Sequence, residues 1–272
     1  MPASSSPDFQ IRPLTTATEY AACVELQRET WGREFTDLVP PTILKITQRL
    51  GGVAAGAFDP SGRLLGFVFG MTGLHRGRSV HWSDMLAVRA ERRDQGIGRA
   101  LKAYQRDLVR ALGVDVMYWT FDPLQARNAR LNLMTLGADV DEYVEDMYGV
   151  TDSDLHRGLG TDRFIVAWRL DGAPARVLGV GVEGAPLLNA GAPGTSVSPA
   201  ALLADRPPAV RVQIPLDIGA VQRESLDLAF RWRLATRDAF TAALAAGYRV
   251  DGFLRDEAAA RGFYLLRHAP ST

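Results

Sequence analysis

Between Val88 and Leu101 the chain reads Val-Arg-Ala-Glu-Arg-Arg-Asp-Gln-Gly-Ile-Gly-Arg-Ala-Leu. An apolar run, Ser79 to Val88, leads into this stretch. A helical pattern leads out, with Ala100, Leu101, Tyr104, Leu108 and Leu112 at amphipathic spacing. A strand that ends in a charged loop and closes on two glycines at a helix start gathers unpaired backbone N–H groups around one small volume. The positive end of the helix points at the same place. Such a volume binds phosphate. Gly96 and Gly98 lack the Cβ atoms that would hold an anion off the main chain, and Arg92 and Arg93 add charge nearby. Arg93, Asp94, Gln95, Gly96, Ile97, Gly98 and Arg99 are therefore candidate binding residues. The plainer alternative is a helix start with ordinary turn glycines.

Spacing selects among phosphate loops. A Walker loop needs Lys and Ser or Thr after its last glycine, where Arg99 and Ala100 stand. A dinucleotide fingerprint needs a third glycine where Leu101 stands. The remaining pattern, Arg93-x-x-Gly96-x-Gly98, resembles the pyrophosphate loop of the GCN5-related N-acetyltransferase (GNAT) superfamily, which binds acyl-coenzyme A. The resemblance implies that the pantetheine arm pairs like an added strand with backbone groups of Leu86, Ala87 and Val88.

The surrounding pattern supplies the elements such a loop needs. Strands are expected at Phe9–Leu14, Val53–Phe58, Leu64–Met71, Ser79–Val88, Val114–Phe121, Ala138–Tyr143 and Arg163–Leu170. Helices are expected to about Thr30, over Thr42–Leu50, over Ile97–Leu112 and over Ala126–Leu136. This order fits an α/β (α+β) class: a mixed, mostly antiparallel sheet flanked by helices. It is also the element order of the GNAT fold. Residues 171–208 are rich in Gly, Ala and Pro and read as a linker or arm, with one strand at Arg176–Val182. From Val210 a strand, a long helix (Ile218–Ala246) and two strands resemble a β-α-β-β half-repeat that extends the sheet or packs on another subunit. The expected division is 1–8 tail, 9–170 acyltransferase domain, 171–208 arm and 209–272 half-domain.

Acyl transfer to an amine requires a neutral amine and a polarised thioester carbonyl. Asp84 is the one carboxylate in Ser79–Val88. Strand alternation places it on the face of Trp82, opposite His81 and Ser83. An apolar setting raises a carboxyl pKa, which suits a base; the alternative is an Asp at a bulge or in an ion pair. A second polar cluster runs from Trp119 to Asn132. Asn128 and Asn132 stand one turn apart, the first read as a cofactor contact. Asn132, Asp122 and Trp82 are read as substrate contacts. Superfamily members commonly carry a thiolate-protonating Tyr where this chain has Leu133. Tyr143 and Tyr148 lie just downstream and are the substitutes. The Thr120-to-Leu124 run, the two Asn, Tyr143, Tyr148 and Thr161 to Arg163 resemble a branch associated with N-succinylation of amino acids.

Composition narrows the partners. The chain has 272 residues, 47% hydrophobic, with 31 basic and 31 acidic side chains. Zero formal net charge leaves no electrostatic footprint for nucleic acid or an anionic membrane. The lone cysteine, Cys23, excludes an intrachain disulfide and sits in an apolar helical stretch as a core residue. The four histidines, at 75, 81, 156 and 268, have no metal-ligand spacing. The expectation is a cytoplasmic, dimeric N-acyltransferase. It would use acetyl-CoA or another acyl-CoA (succinyl-CoA included), no metal, and a small-molecule amine. The alternative is a non-catalytic acyl-CoA sensor.

Overall fold

Thr16 shows how the first helix starts. Its side chain accepts from the Glu19 N–H, and the Glu19 carboxylate returns to the Thr16 N–H, a reciprocal cap. Arg12 binds the same carboxylate at 2.6 Å and is the main reason its pKa falls to about 2. In this computed structural model, which describes residues 8–149, 159–171, 184–190 and 198–268, the chain divides into two units. The described residues of the first are 8–119 and 169–171; those of the second are 120–149, 159–168, 184–190 and 198–268.

The first unit begins β1 (Gln10–Pro13), α1 (Ala17–Trp31), α2 (Pro41–Arg49), β2 (Val53–Phe58) and β3 (Leu64–His75). It continues β4 (Arg78–Val88), α3 (Ile97–Ala111) and β5 (Val116–Phe121), whose last two residues fall in the second unit. β1 to β4 pair antiparallel in chain order, and β5 joins β4 parallel. Asp59 fixes the β2–β3 turn by accepting from the Ser61 and Arg63 N–H groups. Leu14, Cys23, Leu26, Leu44, Phe67 and Phe69 form the center of the core. Burial pushes the Cys23 thiol up to about 12, so it packs rather than reacts.

The second unit holds a one-turn α4 (Ala126–Ala129), β6 (Asp139–Val144), β7 (Arg163–Arg169), α5 (Pro199–Leu203) and β8 (Ala209–Pro215). It ends with α6 (Ile218–Glu224), α7 (Leu226–Ala245), β9 (Tyr248–Asp256) and β10 (Arg261–His268). The seven strands β1 to β7 lie in the order β1-β2-β3-β4-β5-β7-β6. The class is α/β, a mostly antiparallel mixed sheet with helices, as the element order implied. The last three strands form a sheet of their own, β8-β10-β9, instead of extending the first.

Three other expectations change. The single helix over Ile218–Ala246 is two helices, because Ser225 is extended (φ −156°, ψ 111°) and caps α7 by accepting from the Leu228 N–H. The helix over Ala126–Leu136 is one α turn followed by a π turn, Arg130–Thr135. The arm contributes structure at 184–190: Leu187 bridges Arg211, and the Asn189 side chain both donates to and accepts from the Gln213 backbone. The strand expected at Arg176–Val182 lies outside the described residues. Among those described, no helix is long and apolar enough to cross a membrane.

Aromatic rings center the second unit. Phe164, Phe240 and Tyr264 meet edge to face at 4.8 to 5.6 Å between centroids. Beside them Arg233, 1% exposed, gives Nη2 to both oxygens of Asp122 at 2.8 Å and Nε to the Leu159 carbonyl. Removing one partner strands the other charge in the interior. Arg233→Met is therefore expected to lower unfolding free energy by ~3–5 kcal/mol. Adding Asp122→Leu should recover much of that loss. Urea denaturation of the single and double variants checks both.

Candidate functional site

The decisive local feature is how briefly β4 and β5 stay together. Their parallel register contains two pairs, His81 with Met117 and Trp82 with Tyr118. From Ser83 onward β4 has no partner in that ladder. Its other edge stays paired to β3, where Val68 faces Leu86, Phe67 faces Ala87 and Gly66 faces Val88. A register shift falls between Phe69–Met85 and Gly70–Ser83, which makes Asp84 the extra residue of a β-bulge. Bulges twist and bend a strand, and this one coincides with the point where β4 parts from β5. Among the described residues the Leu86–Val88 edge thus keeps strand geometry with no β-strand on its second side, as pairing with an extended ligand requires.

After β4 the chain makes a 3-10 turn over Ala90–Arg92 and enters α3. Arg93, Asp94, Gln95 and Gly96 are exposed. Arg93 folds back so that its Nε donates to the Val88 carbonyl at 3.2 Å. Asp94 (φ 63°) and Gly96 (φ 81°) both have left-handed backbones, and Gly96 caps α3 with no side-chain bond to the first-turn N–H groups. Those donors, on Ile97, Gly98 and Arg99, are the kind an anion satisfies. Gly96 is explained by its φ. Gly98 is not: its φ is not positive, and a Cβ would meet Leu86 at 3.5 Å and Val88 at 3.8 Å, ordinary contacts. Neither backbone strain nor packing calls for glycine there, although glycine weakens a helix.

The two faces of β4 carry different chemistry. His81, Ser83, Met85 and Ala87 are buried, while Trp82, Asp84, Leu86 and Val88 turn the other way, as alternation required. Asp84 is solvent-accessible but recessed among neighbors. Burial raises its carboxyl pKa, Asp37 raises it further, and a hydrogen bond from the Trp82 indole opposes both. On the buried face His81 is fully enclosed, with Nδ1 3.0 Å from Thr72 Oγ1 and Nε2 3.0 Å from Gln105 Nε2. Burial, helped by Lys102, brings its pKa down to about 4. It is a neutral core imidazole.

Lys102 was missed by sequence reasoning. Amphipathic spacing puts Ala100, Leu101, Tyr104, Leu108 and Leu112 on the apolar face of α3, but the buried face is Ile97, Leu101, Lys102, Gln105 and Val109. Leu108 and Leu112 are exposed. The signal was present: Ile97, Leu101, Gln105 and Val109 recur every four residues, and Lys102 stands beside them. Lys102 Nζ donates to Ser83 Oγ at 2.6 Å and lies 3.8 Å from Met117 Sδ and 4.1 Å from the Trp119 ring centroid.

The remaining candidates belong to the second unit. Asp122 is buried on Arg233 and also accepts from the Leu124 N–H, which turns the chain into α4. Asn128 is exposed and Asn132 is buried in the π turn, so equal spacing does not give them equal surroundings. Leu133, at the position of the missing Tyr, is a core residue. The Tyr143 hydroxyl donates to Asp162, and burial with that bond raises its pKa far above the phenol range. Arg237 binds Asp162 and Asp146 from α7. Tyr148 is 46% exposed, its hydroxyl 2.9 Å from Thr120 Oγ1 and its ring 5.2 Å from the Arg163 guanidinium. His156 lies outside the described residues.

Several solved structures are similar to this chain. The Escherichia coli ribosomal-protein-S18-alanine N-acetyltransferase is 18% identical, matching 62% of this chain and 99% of its own, with a TM-score of 0.47. The yncA protein of Salmonella typhimurium, solved with acetyl-CoA, is 20% identical over 62% and 97%, with a TM-score of 0.48. An aminoglycoside 6'-N-acetyltransferase complexed with coenzyme A is 17% identical over 61% and 99%, with a TM-score of 0.46. No family model and no curated protein matches the chain.

Gly98→Ala separates a folding role from a binding one. The variant is expected to gain about 0.4–1 kcal/mol of stability, because the native backbone accommodates alanine. An anion seated on the N–H groups of the first α3 turn would meet the added methyl and lose affinity by roughly tenfold or more, about 1.4 kcal/mol. Thermal melts and titration calorimetry read the two effects separately.

Proposed function

We propose that this chain is an acyl-CoA-dependent N-acyltransferase of the GNAT type. It would move an acetyl or succinyl group from coenzyme A to the amine of a small molecule. The observation that supports this most is the unexplained glycine at Gly98, beside uncapped N–H groups in the first turn of α3 and facing Leu86 and Val88 of a strand that has left its neighbor. The α3 N-terminus would hold the diphosphate, with Arg93 and Arg99 adding charge. The free edge of Leu86, Ala87 and Val88 would take the pantetheine amides. Bound coenzyme supplies the activated acyl group as a thioester.

In this proposal Asp84 receives the proton of the attacking amine. Burial raises its pKa, which makes it a better base than an ordinary carboxylate. The adjacent Asp37 adds negative charge that favours a cationic amine over a neutral acceptor. Of the two tyrosines, Tyr148 is assigned the protonation of the leaving thiolate, because the Tyr143 hydroxyl is committed to Asp162.

Three results test the proposal. Coenzyme A should raise the melting temperature in a concentration-dependent way, by ~2.7 kcal/mol of stabilisation at a hundredfold excess over Kd. Thiol release from acetyl-CoA and succinyl-CoA across a panel of small amines should then identify the acyl group. Asp84→Asn should lower kcat by roughly 10²–10⁴-fold with coenzyme affinity retained. Activity that needs ionised Asp84 rises as pH passes upward through its elevated pKa, so this acidic limb should vanish in the variant. Coenzyme binding without thiol release for any amine would favour a sensor.

A further inference from the structure

Lys102 stands where the two strands part. Its Nζ reaches Ser83, the first β4 residue beyond the last β4–β5 pair, and lies against Met117 and Trp119, which bracket the last paired residue of β5, Tyr118. The residue is 8% exposed, and its contacts are a hydroxyl, a thioether and an indole face. None of them is a carboxylate. An ammonium enclosed without a counter-ion is costly, and an apolar side chain of the same length would fill the space at less cost. Lys102 also belongs to α3, the helix whose first turn forms the phosphate loop. One side chain therefore links the loop helix to both strands at the mouth of the gap.

Building on the acyl-CoA reading, we propose that Lys102 is a positioning residue for acyl transfer, its positive charge at the β4–β5 fork orienting and polarising the thioester carbonyl through the Ser83 hydroxyl and its own field. A fixed charge in a low-dielectric setting acts strongly on a carbonyl nearby. Retention of a buried ammonium that no carboxylate among the described residues pairs then has a functional cause.

The protonation state is adjustable near neutrality. Burial alone lowers the Lys102 pKa to about 7. Among the described residues, the groups facing it are His81 from β4, neutral with a pKa of about 4, Gln105 from its own helix, and Met117 and Trp119 from β5. His81 does not titrate between pH 6 and pH 9, so a change over that range on the buried face belongs to Lys102.

The test is the infrared carbonyl stretch of acetyl-CoA labelled with carbon-13 at the carbonyl, bound to wild-type protein and to Lys102→Met at pH 6 and pH 9. Methionine fills the same volume without charge, and thermal melts confirm that the variant folds. The expected result is a downshifted stretch in the wild type at pH 6, a smaller downshift at pH 9, and the smaller value at both pH values in the variant. Equal stretches in bound wild type and bound variant would overturn the role of Lys102 and leave the acyl-CoA reading intact. Failure of the wild type to bind acetyl-CoA by calorimetry would overturn both.

Discussion

Everything about the candidate site follows from two parallel strands that stay paired for only two residues. A sheet normally satisfies every backbone N–H and C=O along its interior edges. β4 abandons that arrangement at Trp82, where an extra residue at Asp84 bends it away from β5. The resulting edge, left without a strand partner among the described residues, is open to an extended ligand. The same bend carries the chain to Gly96 and into α3, so the edge and the helix start are set by one feature. Asp84 is the bulged residue itself, which is why a carboxylate occupies a strand whose other face is core.

The sequence made the loop and the element order legible because both depend on local chemistry. Two glycines at a strand–helix junction act within a few residues. Strand β2 was placed at its observed ends for the same reason. What local pattern did not show depends on tertiary choice. The α3 stripe was rotated by about a quarter turn, because a Lys and a Gln occupy buried positions that hydropathy assigns to solvent. Ser225 breaks a helix that composition reads as continuous, since a serine inside a helix and a serine at a cap differ only in backbone conformation.

The second unit shows the same limit at long range. Asp122 is a candidate as a polar group near a strand tip, and Tyr143 as a stand-in for the tyrosine missing at Leu133. Asp122 is held by Arg233 and Tyr143 by Asp162, which in turn binds Arg237. Both arginines come from α7, about a hundred residues downstream of Asp122. No spacing rule connects positions so far apart. Helix α7 thus supplies the charges that fix the polar groups following β5, and the aromatic rings of Phe164, Phe240 and Tyr264 pack on one another. A charged pair this deep destabilises when broken and contributes little when intact. Its value lies in fixing one arrangement of the chain.

Hydrogen exchange read by mass spectrometry, with and without coenzyme A, reaches the central claim directly. If diphosphate rests on the α3 amides and an extended arm lies along β4, added coenzyme should slow exchange in peptides covering 83–88 and 96–100 and leave the β8-β10-β9 sheet unchanged. Slowed exchange confined to other segments, or none in those two peptides when coenzyme is bound, would contradict it.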